Sequence, residues 1–149
     1  MTIIDTLKAE HKKVLGMMEE LDATTDKAVK TREKLRADIC FDLEGHAKGE
    51  EAVVYPAYKL RGDHDDLKSH AEAEVEHKAV EETVLPRVKN LDVATRDFAG
   101  AAKVLKEFVD HHAKEEEKTI FPSMKKLFTK EELTQMDADY LNWKKANGY

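Results

Sequence analysis

The fold is decided by the stretch His112-Ala113-Lys114-Glu115-Glu116-Glu117-Lys118-Thr119-Ile120-Phe121-Pro122, which has a twin at His46-Ala47-Lys48-Gly49-Glu50-Glu51-Ala52-Val53-Val54-Tyr55-Pro56. In both copies a Glu follows the His by four positions, and an aromatic residue and a proline close the stretch. The two copies lie 66 residues apart (112 − 46), and the same interval separates His77 from His11. The sequence therefore contains an internal repeat of about half the chain, and each half has one His followed later by a His-x-x-x-Glu motif.

Composition limits the classes of protein that this chain can belong to. Its 149 residues suit a single domain over 1–149, and a charged fraction of 38% with only 7% aromatic residues favours long solvated helices. The net charge of −6 argues against nucleic acid and against anionic membranes as partners. Cys40 is the only cysteine, no apolar run reaches membrane length, and the N-terminus is not a signal peptide. We expect a cytoplasmic monomer or weak homo-oligomer.

Apolar residues recur at three- and four-residue intervals along almost the whole chain, which predicts helices. Four long helices are expected at about 2–21, 31–60, 65–91 and 92–127, and a short fifth one at about 129–145. Asp92 is the expected N-cap of the fourth helix, and Pro56 and Pro86 are expected to kink or tighten theirs. Leu67 and Phe108 are among the residues expected to face inward. The sequence therefore predicts an all-α, antiparallel up-down-up-down four-helix bundle with a short C-terminal helix as a lid.

The spacing of the four repeated histidines relative to the turns indicates that they lie at one level of this bundle. In a helical hairpin, residues equidistant from the turn lie side by side. The midpoints between successive histidines of the series His11, His46, His77 and His112 fall at or beside the three expected turns. All four histidines also occupy positions of the inward stripe, where an apolar residue would be expected.

Glu50 and Glu116 lie one helical turn beyond His46 and His112, on the same helix faces. Buried carboxylates without a partner cost several kcal/mol each, on the order of the desolvation penalty of an ion, and a cation removes that cost. Four imidazoles and two carboxylates exceed what one tetrahedral zinc needs. They suit two transition metals that share both carboxylates and a solvent-derived oxo or hydroxo bridge, with iron or manganese favoured.

Other polar residues of the two motifs are assigned simpler roles. Glu51, Glu115 and Glu117 are expected on a solvated face, and Tyr55 is expected to pack in the core because it lies about half a turn away from the direction of His46. His111 is expected to flank the site, and His64 to lie in a surface loop.

The chain resembles the hemerythrin-like (HHE cation-binding) family over about residues 2–127. The family pattern is matched by His11, His46 with Glu50, His77, and His112 with Glu116. This resemblance implies an antiparallel four-helix bundle around two non-heme iron ions, one on His11 and His46 and the other on His77 and His112, with both Glu bridging. Two departures separate the chain from the oxygen carriers. Ala73 stands where they have a further His, and their last carboxylate is an Asp five residues after its His, whereas here it is Glu116, four residues after His112.

The missing third-helix ligand has three candidates. Glu81 is favoured, because it follows His77 by the spacing that relates Glu50 to His46. Glu74 and His70 are the alternatives. His70 is about 10 Å from His77 along the helix axis, so we expect it to hydrogen-bond near the site or to line its access path.

Two functions remain open on this basis. The first is a di-iron protein that binds or turns over a small oxidant, namely dioxygen, nitric oxide or hydrogen peroxide, and the departures favour peroxide or nitric oxide handling, sensing or iron homeostasis. The second is a non-redox bundle that stores or senses iron or zinc. No separate nucleophile-base arrangement or phosphate-binding loop points elsewhere.

Overall fold

A computed structural model describes residues 1–149, and every regular element in it is a helix. Three of the five helices contain a central π-helical segment. The helices are α1 (Ile3–Asp22), α2 (Val29–Gly49, Glu50–Val54 and Tyr55–Arg61), α3 (His64–Ala79, Val80–Val84 and Leu85–Asn90), α4 (Arg96–Glu115, Glu116–Ile120 and Phe121–Leu127) and α5 (Lys130–Ala146). The predicted all-α bundle with a short C-terminal helix is confirmed. No helix combines the length and the apolar character that crossing a bilayer would require.

Side-chain caps fix where the helices begin. Capping boxes open α1 at Thr2, α3 at Asp63 and α5 at Thr129. The predicted cap of α4 was wrong. Thr95 is the N-cap, and its hydroxyl accepts the Phe98 N–H, whereas Asp92 accepts the Ala94 N–H inside the preceding turn.

The three long helices α2, α3 and α4 each widen into a π-helical segment just before a proline. The N–H groups of Tyr55, Leu85 and Phe121 each donate to the carbonyl five residues earlier. The next residue in each helix is a proline, which has no N–H to continue the ladder. The sequence predicted a kink or a tightening at Pro56 and Pro86, but the helix continues and becomes wider. The extra residue in the turn rotates every later side chain by about 100° relative to a continuous α-helix.

A polar layer divides the apolar core into two clusters. In α1, Ile3, Ile4 and Leu7 belong to the first cluster, and Val14, Met18 and Leu21 belong to the second. His11 lies between them, and His46 lies between the corresponding parts of α2. Two expected core residues are at the surface instead, since Leu67 is 39% and Phe108 is 41% exposed, and Val109 occupies the core position beside Phe108.

Helix α5 packs against α1 and α2 beside this polar layer. It buries Leu133, Met136 and Tyr140 in the first core cluster. The close approach depends on Gly49 of α2, because a Cβ there would lie 2.4 Å from the ring of Tyr140. The C-terminal helix therefore covers one side of the bundle at the level of the histidines.

Candidate metal centre

The four histidines of the repeat form two pairs inside the bundle. The rings of His11 and His46 have centroids 4.8 Å apart, and those of His77 and His112 are 4.7 Å apart. Three of these residues are buried, and His112 is 12% exposed at its side chain. The Nε2 atoms of His77 and His112 lie only 3.1 Å apart. Both pairs thus direct Nε2 atoms towards Glu50 and Glu116 at one level of the bundle. The turn positions predicted this common level, and the apolar periodicity predicted the inward direction.

Each of the two buried carboxylates reaches both histidine pairs. Glu50 is fully buried, with Oε1 3.3 Å from Nε2 of His46 and Oε2 3.3 Å from Nε2 of His77. Oε2 of Glu116, which is 1% exposed, lies 3.2 Å from Nε2 of His11 and 3.7 Å from Nε2 of His112. This placement suits two carboxylates that bridge two cations.

Among the residues of this layer, ligand atoms within 4.8 Å of one another fall into two groups that share Glu50. One group consists of His11, His46, Glu50 and Glu116, and the other of Glu50, His77 and His112. Both groups lie in the buried layer between the two core clusters.

Four atoms of this layer face each other in two pairs, Nε2 of His11 with Oε2 of Glu116 at 3.2 Å and Nε2 of His46 with Oε1 of Glu50 at 3.3 Å, but in orientations that form no hydrogen bond. Burying a polar atom without a partner costs about 1–3 kcal/mol. No lysine or arginine forms an ion pair with either carboxylate. Because these four atoms are the donors that a transition metal binds, the residues present fit a metal centre.

A second set of four carboxylates, called the outer carboxylates below, contacts Nδ1 of the four histidines of the layer. The pairs at Nδ1 are His11 with Glu117 (2.9 Å), His46 with Glu10 (2.8 Å), His77 with Glu51 (3.1 Å) and His112 with Glu76 (3.2 Å). Such a bond places the Nδ1–H towards the carboxylate and leaves Nε2 free to bind a metal.

Two of these carboxylates correct the interpretation of the sequence. Glu51 and Glu117 were assigned to a solvated face, and they are 41% and 38% exposed at their side chains, yet each holds an imidazole of the layer. The signal was available, because every one of the four outer carboxylates is adjacent in sequence to a residue of the layer. Glu10 and Glu76 precede a His, while the other two follow a Glu.

Tyr55 lies at the layer itself, which was also missed. Its hydroxyl is 3.0 Å from Oε1 of Glu116, 3.2 Å from Oε2 of Glu50 and 3.3 Å from Nε2 of His77. The prediction of plain core packing assumed a continuous α-helix, and the π-helical segment turns Tyr55 towards the site. The equivalent residue of the second half is Phe121, whose ring stacks on His11 at 6.0 Å. At this position the two halves therefore differ by one hydroxyl group.

The three candidates for an additional ligand occupy different surroundings. Glu81 belongs to neither ligand group, but it lines the adjoining cavity, and its buried Oε1 has no partner. Its role as a ligand stays a prediction. His70 is buried and meets the Tyr55 ring edge-on at 5.4 Å, whereas Glu74 is exposed and lies 4.0 Å from Lys78. The structure thus keeps Glu81 and His70 near the site and Glu74 outside it.

Charges in the layer shift several pKa values. Burial disfavours the protonated form of His46, but Glu50 and Glu10 outweigh burial and raise its pKa to about 10. Burial is likewise outweighed at His77, where bonds to Glu50 and Glu51 raise the pKa to about 10. Burial opposes ionisation of Glu50 as well, yet the two imidazolium charges hold its pKa well below 4.5. In the metal-free chain, protons on two histidines therefore stand in for cations.

A cavity of about 100 Å³ adjoins the four histidines. Six hydrophobic residues line it, namely Val14, Leu43, Ala47, Val80, Leu85 and Val109. All of them except Ala47 belong to the second core cluster or pack against it. The cavity gives a small molecule room beside the ligand groups, on the side opposite Tyr55.

Comparison with known proteins identifies the family of this pattern. The family model described as the hemerythrin HHE cation binding domain matches residues 2–124. The chain is 25% identical over 143 residues to an uncharacterized hemerythrin-like protein of Schizosaccharomyces pombe, covering 96% of this chain and 69% of the yeast protein. It is 26% identical over 140 residues to a protein named DNA nickase from Nostoc sp., covering 94% of this chain but only 38% of that protein.

A solved structure shares the fold. The crystal structure of a hemerythrin HHE cation binding domain-containing protein from Mycobacterium kansasii superposes with a TM-score of 0.82 at 19% sequence identity. The match covers 98% of this chain and 86% of that one.

Proposed function

Because the chain belongs to the hemerythrin HHE cation binding domain family, we propose that its buried centre holds two iron ions and binds or reduces a small oxidant. Cation binding follows from the family and from the two buried ligand groups. The proposal adds the metal, its number and an oxo or hydroxo bridge. The observation that carries it is the layer of inward Nε2 atoms around two shared carboxylates. Two of these nitrogens and one oxygen of each carboxylate are buried without a hydrogen bond.

The assignment of ligands follows the two pairs. His11 and His46 would hold one iron, His77 and His112 the other, and Glu50 and Glu116 would bridge them, because each carboxylate reaches both pairs. Iron bound there would supply redox chemistry and exchangeable coordination positions.

The protein itself contributes orientation, a proton donor and a shielded cavity. The four outer carboxylates fix the imidazole tautomers. The hydroxyl of Tyr55 is buried, and burial with the charges of Glu50 and Glu116 raises its pKa, so it stays protonated in the metal-free chain. It therefore donates hydrogen bonds to the carboxylates in the metal-free chain, and once a cation lowers that pKa it would be able to give up its proton or to serve as a further ligand.

The cavity favours an oxidant over a storage role. Its volume of about 100 Å³ and its apolar wall suit a small uncharged molecule such as dioxygen, nitric oxide or hydrogen peroxide. A reservoir or sensor of iron or zinc needs no such space beside its ligands, and it stands as the second candidate.

The test is to supply iron-loaded protein with each of the three oxidants and to follow consumption or binding. Wild type should react with at least one of them. Glu50→Ala should lose at least one metal and the reactivity, whereas Glu82→Ala, at an exposed Glu without an ion pair, should match wild type. Iron-loaded wild type that is inert to all three would favour the reservoir.

A further inference from the structure

The carboxylates that hold His46 and His112 have different partners on their outward side in the two halves of the chain. In the first half, both oxygens of Glu10 are used: Oε2 holds His46 and accepts from the Tyr140 hydroxyl at 2.6 Å, and Oε1 accepts from Lys144 at 2.8 Å. Helix α5 thus covers this carboxylate and neutralises its charge. Gly45 of α2 is buried nearby under the C-terminal Tyr149, whose ring leaves no room for a Cβ at that position.

In the second half, no tyrosine or lysine bonds the equivalent carboxylate, which belongs to Glu76 and is about as buried as that of Glu10, with side-chain exposures of 17% and 23%. Its Oε1 holds His112 at 3.2 Å, while Oε2 turns outward and lies 3.4 Å from Nε2 of His111. Position 111 is the equivalent of Gly45, so an imidazole stands where the first half has no side chain. Glu72, one turn before Glu76 on α3, adds an exposed carboxylate.

These three side chains have the composition and the spacing of a metal site. One ligand atom of Glu72, one of Glu76 and one of His111 lie within 4.8 Å of one another. The side chain of Glu76 is only 17% exposed and is fixed by His112, whereas that of His111 is 63% exposed. No lysine or arginine forms an ion pair with either carboxylate. Two carboxylates and an imidazole without a counter-cation favour a divalent transition metal that keeps several waters.

We propose that Glu72, Glu76 and His111 bind a divalent transition-metal cation at the surface, at a site separate from the buried centre and joined to it through Glu76. A cation on Oε2 would draw charge away from Oε1, which holds the Nδ1–H of His112. Because such outer bonds tune a ligand imidazole, occupancy of the surface site changes the buried centre.

The experiment titrates the protein, with its buried centre loaded, with Co²⁺ and measures bound cobalt by equilibrium dialysis. Wild type should bind one exchangeable Co²⁺ per chain. His111→Ala and Glu72→Gln should each weaken that binding by about tenfold or more, the change produced by about 1.4 kcal/mol of lost binding free energy. The matched control is His64→Ala, which removes an exposed His outside every ligand group and should bind as wild type does. The buried metal content should be equal in all four proteins.

Wild type without exchangeable Co²⁺, or equal binding by His111→Ala, Glu72→Gln and wild type, would overturn the site. Its link to the buried centre is read from the optical spectrum of the buried metals, which should shift on Co²⁺ binding in wild type and not in His111→Ala. Binding without that shift would overturn the link. The titration counts only exchangeable cobalt. Its result therefore tests the surface site even if the buried centre does not hold two irons.

Discussion

Replacement of Gly49 by Ala should separate α5 from the metal layer. The added Cβ would lie 2.4 Å from Cε2, 3.0 Å from Cδ2 and 3.1 Å from Cζ of Tyr140. Tyr140 is fully buried, and its hydroxyl is held by Glu10 at 2.6 Å, so its ring has no free direction in which to move. We expect α5 to shift outward and the bond to Glu10 to break.

The magnitude follows from three opposing contributions. Ala in place of Gly favours a helix by about 1 kcal/mol. Overpacking costs about 1–3 kcal/mol, and loss of a hydrogen bond to a charged acceptor costs about 1.5–3 kcal/mol. Gly49→Ala should therefore lower the free energy of unfolding by about 1.5–5 kcal/mol, and for a chain of this size each kcal/mol lowers Tm by about 2–4 °C.

The assay is urea unfolding of both proteins in one defined metal state, with Gly16→Ala as the matched control. Gly16 lies in the exposed face of α1 with nothing within 4 Å of an added Cβ, so its replacement should raise the free energy of unfolding by about 1 kcal/mol. Since Glu10 holds His46, Gly49→Ala should also weaken metal binding. If Gly49→Ala were as stabilising as Gly16→Ala, the packing of α5 at this position would be refuted.

Three further predictions concern the layer itself. Metal binding at pH 7 should release protons, because His46 and His77 have pKa values of about 10 in the metal-free chain and must lose a proton to bind a metal. Calorimetry in two buffers of different ionisation enthalpy measures this release, and a result of zero would show that both histidines were already neutral. For the same reason the metal-free chain should lose stability as pH rises from about 6.5 through about 10, since a raised pKa stabilises the fold fully only below the unfolded value, and an equal Tm at pH 6 and pH 9 would contradict this. Glu81→Ala and Tyr55→Phe should both keep two irons but change the optical spectrum and the oxidant rate, unlike Glu50→Ala, which should lose metal. A variant indistinguishable from wild type would exclude its residue as a ligand or proton donor.

The helices and the level of the histidines could be predicted because both depend on local periodicity. Apolar spacing gives the face of each helix, and short turns force neighbouring helices to be antiparallel, so equal distances from a turn bring His11 beside His46 and His77 beside His112. The capping boxes at Thr2 and Thr129 are local signals of the same kind.

What the sequence did not reveal depends on departures from regular geometry or on distant contacts. Tyr55 faces the layer because a π-helical segment adds one residue to a turn, and the proline that follows it indicated a kink equally well. Glu51 and Glu117 are partly exposed, yet their long side chains reach imidazoles on other helices, which periodicity does not report. Glu10, which contacts His46, also accepts a hydrogen bond from Tyr140, a residue 130 positions away in the sequence.

The most direct measurement is the metal content of the purified protein together with its optical spectrum. We expect two irons per chain and the near-ultraviolet and visible absorption of an oxo-bridged diferric centre, because two histidine pairs share two buried carboxylates. A colourless protein that holds a single zinc would contradict the di-iron centre and leave only a cation-binding bundle.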